Sequence, residues 1–415
     1  MFKRIPGTKD ILPEEITSWQ AAEATARNIF SLYNYQEIRT PLFEEASLFQ
    51  RSLGATTEIV QKQMFLIHNQ DDLYALRPEA TAAIVRSYLE NNLEKTHGFT
   101  KLYYIGPMFR LERPQKGRLR QFHHLGYEAI GSGQAELDIE VISLADQLLK
   151  GFGISGYKIK LNSLGCLKDK QAFSVNLKKS LQDKLSRLCA DCRTRAKNNV
   201  LRILDCKNEN CQKIVKTILP NQSHLCPDCR GHFKEVKEGL NNLGIAFQEQ
   251  PQLVRGLDYY NRTVFEITHS DLGSQDALGA GGRYNNLIQE LGGPDLGAIG
   301  FAFGMERLLL VPNSLTVKPQ KKLVYLITLG EAAKSAGVKI LNRLRESGIP
   351  SDTDYLDKSL KGALRAANDA GASTALILGD DELKKNIISV KDMSENAQSA
   401  QKEIPLENLI KELKC

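Results

Sequence analysis

The chain lacks any stretch approaching the roughly 18 consecutive apolar residues of a membrane-spanning helix, so no membrane partner is expected of it. Its first residues, Met1 to Gly7 (MFKRIPG), hold neither the apolar core of a secretory signal nor a long Arg/Ser-rich presequence, and the expectation is a cytoplasmic protein. No repeat and no low-complexity tract interrupts it. The commonest phosphate cradles are missing too: there is no G-x-x-x-x-G-K-[ST] loop and no G-x-G-x-x-G after a strand. Such a sequence can hold a nucleotide only with side chains, chiefly arginine, whose planar fork matches phosphate oxygens bidentately.

What is present is ordinary in bulk and uneven in place. Hydrophobic residues make up 42% and charged residues 25% of the 415 positions, the balance of a soluble globular protein, and the length implies two or three domains. The net charge is +6, but residues 166–244 alone hold 16 Lys/Arg against 8 Asp/Glu, whereas residues 321–415 hold 15 against 14. A basic internal segment of this kind favours a polyanion, and equally a solvated basic face. The same segment contains Cys189, Cys192, Cys206, Cys211, Cys226 and Cys229, with Cys166 at its edge. In a reducing compartment these are metal ligands or buried thiols rather than disulfides. The C-x₂-C pairs 189–192 and 226–229 each have the local geometry of half a zinc site, although six thiolates exceed one tetrahedral site. Zinc and a small core of reduced thiols both remain open, and no metal ligand is assigned.

Apolar spacing predicts helices over 14–34, 42–53 and 78–93, with Pro78 in a first helical turn. Residues 102–109 and 121–130 are aromatic and β-branched enough for an antiparallel hairpin whose tip, 110–120, is basic. A helix is expected over 136–150, closed by Gly151. Strands are expected at LVRGLDYY (253–260), TVFEI and AIGFAF, the last running into a helix at MERLLLV. Neighbouring hairpins with segregated helices define an α+β domain. A polar linker at 312–322 then leads to an alternating α/β domain: strand 323–329, helix 331–347, strand 349–355, helix 358–371, strands 374–378 and 387–391, and a closing helix 403–414.

Two arginines suit the phosphate role. Arg110 ends the first hairpin strand after Gly106-Pro107-Met108-Phe109, and Arg307 lies in Gly304-Met305-Glu306-Arg307 at a strand-to-helix junction. Their surroundings resemble the motifs of class II aminoacyl-tRNA synthetases. Phe109-Arg110-Leu111-Glu112-Arg113 through Gln121-Phe122 is similar to motif 2, Gly300 to Leu310 to motif 3, and Ile38-Arg39-Thr40-Pro41 with the next helix to motif 1. LVRGLDYYNRTVFEI (253–267) and GAGGRYNNLI (279–288) resemble the histidine-specific signatures of histidyl-tRNA synthetases, as do GTKDILPEE and RPEATA. The HxGH and KMSKS signatures of the other synthetase class are missing. The resemblance runs from about Gly7 to the C-terminus.

That resemblance implies an antiparallel class II catalytic core over 1–320 with a small helical, Cys-containing insertion at about 167–245, and an α/β anticodon-binding domain over 321–415. It implies a histidine–tRNA ligase using ATP and Mg²⁺, with L-histidine and a cognate tRNA as partners, and a homodimer through motif 1. For ATP it implies Arg110, Glu112, Arg118, Phe122 and Arg307, with Arg110 and Arg255 as the catalytic pair at the α-phosphate. An imidazole has one N–H donor and one acceptor nitrogen, so its pocket needs a carboxylate and a hydroxyl. Glu128 and Tyr260 stand at the family's positions for these, Tyr284 closes the pocket, and Glu79 and Thr81 take the amino group. Arg113 and Gln115 would read the acceptor stem. His124 stands where the family usually has glutamine, and an ordinary imidazole there would protonate and weaken substrate binding below about pH 6.5. Non-catalytic relatives that regulate histidine biosynthesis share the core. They generally lack the anticodon-binding domain and the arginine at 255, both of which this sequence has.

Overall fold

The structure, a computed structural model, describes residues 2–55, 57–218, 224–315, 322–393 and 401–414. Contacts divide the chain into two compact units, Met1–Val317 and Lys318–Cys415. No described helix is long and apolar enough to cross a membrane.

Among the described residues of the first unit, eight strands form the main sheet. Their order is Gln36–Glu37, Thr100–Phe109, Gln121–Ile130, Ala298–Gly304, Ala277–Arg283, Asn261–Thr268, Lys158–Ser163, Gln248–Glu249. The two edge strands pair in parallel and all inner pairs are antiparallel. Strand alternation gives this sheet two different faces. Leu125, Tyr127, Ala129, Phe301 and Phe303 project to one side, where they pack on Trp19, Ala22, Ala26 and Phe30 of helix Pro13–Leu32 and on Val141, Ala145 and Leu148 of helix Ala135–Gly151. The intervening residues of the same strands, Phe122, His124, Glu128, Gly300, Ala302 and Gly304, face a cleft.

Burying a charged pair beneath this layer is costly unless both partners stay matched. Arg283 and Asp138 are both fully buried, with Arg283 Nε 2.6 Å from Asp138 Oδ1, and Arg283 also donates to the carbonyls of Ser132 and Gln134. Arg283→Ala strands a buried carboxylate and is expected to destabilise the protein by about 3–5 kcal/mol. Thermal and urea denaturation of the variant check this, and a loss near zero would show that the pair does not hold the sheet to helix Ala135–Gly151.

Four expectations are corrected. The 42–53 segment is helical only over Ala46–Leu53; Phe43–Glu45 is a strand of a separate three-stranded sheet. Helix 78–93 spans Thr81–Glu90, and Pro78 lies outside it: the Glu79 carboxylate accepts the N–H groups of Thr81 and Ala82 at 2.7 and 3.0 Å, while the Pro78 carbonyl accepts from Arg110. LVRGLDYY is not a strand. Side chains rather than a ladder satisfy its carbonyls: Asn162 on Leu253, Arg202 on Arg255, and Lys170 on Asp258 and Tyr260. The closing segment forms a strand, Lys402–Pro405, on Ile387–Asp392 before a short helix Leu409–Lys414. Part of the expected linker, 316–321, lies outside the described residues.

Helices Leu167–Leu181, Ala190–Asn198, Glu209–Lys216 and Pro227–Asn242 build the insertion between two strands of the sheet. In the second unit five strands run in the order Ser351–Thr353, Leu323–Leu329, Ala372–Gly379, Ile387–Asp392, Lys402–Pro405. Helix Glu331–Glu346 packs on Val324, Leu326, Leu376 and Leu378, and helix Leu360–Asp369 on the alternate residues Tyr325, Ile327, Ala375 and Ile377. This is the alternating α/β pattern expected from the sequence.

Candidate active site

The cleft on the open face of the main sheet has a volume of about 640 Å³. It is lined by Glu79, Thr81, Arg110, Glu112, Arg118, Phe122, His124, Glu128, Arg255, Tyr260, Tyr284 and Arg307. The sequence-predicted set is therefore gathered in one place except for Arg113 and Gln115. Both of these are exposed at the hairpin tip, where the Gln115 and Arg118 backbones pair.

One end of the cleft is cationic. Arg110 lies over the ring of Phe122, 5.3 Å from its centroid, and donates from Nε to the Pro78 carbonyl at 2.9 Å. Glu112 sits between Arg110 and Arg118, at 3.9 and 3.5 Å. Arg307 donates from Nε to the Gly117 carbonyl of the hairpin tip at 2.8 Å and from Nη1 to Ala277 at 2.6 Å. Arg255 pairs through Nη1 with Glu266 at 2.7 Å, while its Nε is buried without a partner. A buried guanidinium N–H with no acceptor is costly, and an anionic ligand would relieve it.

The other end is a polar pocket in the sheet. Glu128 accepts the Thr81 hydroxyl at 2.7 Å and the Tyr284 hydroxyl at 2.5 Å. Burial pushes its carboxyl up to about 8 even though both hydroxyls act in the opposite direction. Gly300, directly opposite in the neighbouring strand, leaves room for it: a Cβ there would fall 1.6 Å from Glu128 Oε2. The rings of Tyr259 and Tyr260 meet at a tilt beside the pocket, with centroids 4.6 Å apart. The Thr81 hydroxyl donates to Glu128, while the Glu79 carboxylate accepts the backbone N–H groups of Thr81 and Ala82 at the start of the next helix. One expectation shifts here. His124 does not titrate near neutrality: burial, then the charges of Arg110 and Arg77, lower its pKa to about 3, and its Nδ1 is buried without a partner. The expected loss of binding below about pH 6.5 therefore has no source in His124.

Several contributors were not singled out in the sequence. Glu306 receives the His123 N–H at 3.0 Å and faces its ring at 2.9 Å, pinning the strand-to-helix junction of Arg307 to the hairpin. Arg202, Lys170 and Asn199 come from the insertion and hold the 255–260 segment. Their only sequence signal is membership of the basic segment, which does not say what they touch.

An antiparallel sheet with a basic hairpin across its open face, arginines at two strand ends and a separate α/β unit is the arrangement of a class II aminoacyl-tRNA synthetase. Family models for "Histidyl-tRNA synthetase" and "Anticodon binding domain" match residues 7–308 and 323–415. Among similar proteins, the histidine–tRNA ligase of Halothermothrix orenii is 47% identical over 411 residues, spanning 98% of this chain and 97% of that protein. That of Thermodesulfovibrio yellowstonii is 42% identical over 399 residues, covering 96% and 95%. The crystal structure of apo histidyl-tRNA synthetase from S. aureus superimposes over 100% of both chains with a TM-score of 0.79 and 34% identity. The chain belongs to the histidyl-tRNA synthetase family.

Proposed function

We propose that the chain is a histidine–tRNA ligase whose cleft joins the carboxylate of L-histidine to the α-phosphate of ATP and then passes histidine to the 3′ end of its cognate tRNA. The observation that supports this most directly is the two-ended cleft. Clustered arginines at one end, with Arg255 Nε unpaired, suit a triphosphate, and a carboxyl with hydroxyls at the other suits an imidazole. A carboxylate oxygen attacks the α-phosphorus in line and diphosphate leaves, so no covalent bond to the protein is needed and the work is positioning and charge stabilisation. Arg110 and Arg255 hold the reacting carboxylate and α-phosphate from two sides. Phe122 and Arg307 flank the adenine, with Arg307 reaching the outer phosphates and Glu112 and Arg118 lining the ATP path. Mg²⁺ enters as part of the nucleotide substrate, on its outer phosphates.

Glu128 and Tyr260 recognise the two imidazole nitrogens, and Thr81 and Tyr284 hold Glu128 in place. Glu79 and neutral His124 accept from the substrate ammonium. A pocket of this kind rejects apolar isosteres because its polar groups would be left unpaired. Arg113 and Gln115, exposed at the hairpin tip, meet the acceptor stem; the basic insertion clamps the acceptor arm; and residues 321–415 bind the anticodon. Leu42, Phe43, Leu66 and Ile67 are exposed next to motif 1, which supports a homodimer across that face.

The test is ATP–diphosphate exchange with each amino acid in turn, followed by charging of the histidine tRNA. Exchange dependent on L-histidine alone is expected. A chain that binds histidine without any exchange would instead be a regulatory relative.

A further inference from the structure

We infer that the insertion holds two zinc ions, one at Cys189, Cys192, Cys206 and Cys211 and one at Cys166, Cys226, Cys229 and Asp169. In each group the four candidate ligand atoms lie within 4.8 Å of one another. Zinc–thiolate bonds of about 2.3 Å place the corners of a tetrahedron about 3.8 Å apart. Cys189 Sγ and Cys206 Sγ are 3.8 Å apart. The seven described cysteines are all free. The two C-x₂-C pairs fall in different groups and do not complete one site together. Each opens a helix, Ala190–Asn198 or Pro227–Asn242, and each finds its remaining ligands elsewhere.

Polar backbone groups surround the sulfurs. Backbone N–H groups are directed at sulfur: Cys189 at Cys211 Sγ (3.3 Å), Asn208 at Cys206 Sγ (3.4 Å), Cys166 at Cys229 Sγ (3.2 Å) and Cys229 at Cys226 Sγ (3.5 Å). Asp169 is oriented by the N–H groups of Cys226 and Cys166, at 3.1 and 3.2 Å. Such outer hydrogen bonds aim and stabilise metal ligands. Sulfur-rich donors select zinc over magnesium or calcium. Each ion replaces the thiol protons, four at the first site and three at the second. The resulting negative charge lies in a segment with 16 Lys/Arg against 8 Asp/Glu. Helix Ala190–Asn198 buries only Cys192, so apolar packing alone gives it little hold.

Both sites border the segment that presents Arg255. Lys170, next to Asp169, donates to the carbonyls of Asp258 and Tyr260 at 2.9 and 2.7 Å. Between Cys192 and Cys206, Asn199 reaches Asp258 Oδ1 and Arg202 reaches the Arg255 carbonyl, each at 2.9 Å. The metals therefore brace the 255–260 segment from two directions. This consequence rests on the role proposed for Arg255, whereas the metal content does not.

The test is elemental analysis of the full-length protein purified with zinc present and without chelator. About two zinc per chain are expected, falling to about one in Cys206→Ser and about one in Cys226→Ser. Cobalt exchanged into the wild type should give tetrahedral thiolate absorption. Fewer than two zinc per wild-type chain, iron in place of zinc, or either variant retaining both ions would overturn the inference. The wild-type measurement stands whether or not the variants fold. Removal of zinc should also lower histidine-dependent exchange. Two bound zinc ions with exchange absent throughout would count against the proposed activity and leave the metal sites intact.

Discussion

Arg255→Ala should lower histidine-dependent ATP–diphosphate exchange by about 10³-fold or more, with histidine binding largely kept. The magnitude follows from removing a charged donor that acts on developing charge in a water-poor site. Folding should suffer little. The partner carboxylate, Glu266, is only partly buried and also has Lys160 3.9 Å away, so it is not abandoned in a dry core. Arg255→Lys keeps the charge but loses the fork, and should recover only part of the rate. Exchange kinetics at saturating histidine, beside calorimetric histidine binding, separate the two effects. Wild-type exchange in Arg255→Ala would remove Arg255 from the mechanism.

The second large effect concerns Glu128. Glu128→Gln keeps shape but removes the carboxylate, and the KM for histidine should rise by about 10²-fold or more. The same variant reports on stability. The Glu128 carboxyl, with an ordinary pKa of 4.5, is raised to about 8 by burial in the folded protein. Between those values the folded state holds a proton that the unfolded state has released, so this group makes the empty protein less stable as pH rises from about 4.5 to about 8. Glutamine cannot titrate. The stability of Glu128→Gln relative to wild type should therefore grow across that window and level off above it. A difference in melting temperature that stays flat with pH would mean that Glu128 is ionised in the empty pocket. Histidine binding should narrow the difference.

Alternation along QFHHLGYEAI was enough to place Phe122, His124 and Glu128 on one face of a strand, because a pleated strand leaves no other choice. The hairpin and the alternating C-terminal unit were equally legible, being local patterns of period and composition, whereas Arg110 and Arg307 were singled out by their resemblance to family motifs. Three features were not. LVRGLDYY has the apolar content of a strand, yet Asn162, Arg202 and Lys170 take up its carbonyls from distant parts of the chain. His124 has an ordinary imidazole, and only burial beside Arg110 and Arg77 keeps it neutral. The cysteines advertise metal by spacing, but the spacing pairs 189–192 with 226–229, whereas folding divides them between two groups and draws in Cys166 and Asp169.

The sequence alone determined which residue types are available, their period and their family motifs. Only the tertiary structure decided which groups share one cleft. Burial, and with it charge state and ligand grouping, depends on neighbours far away in the chain.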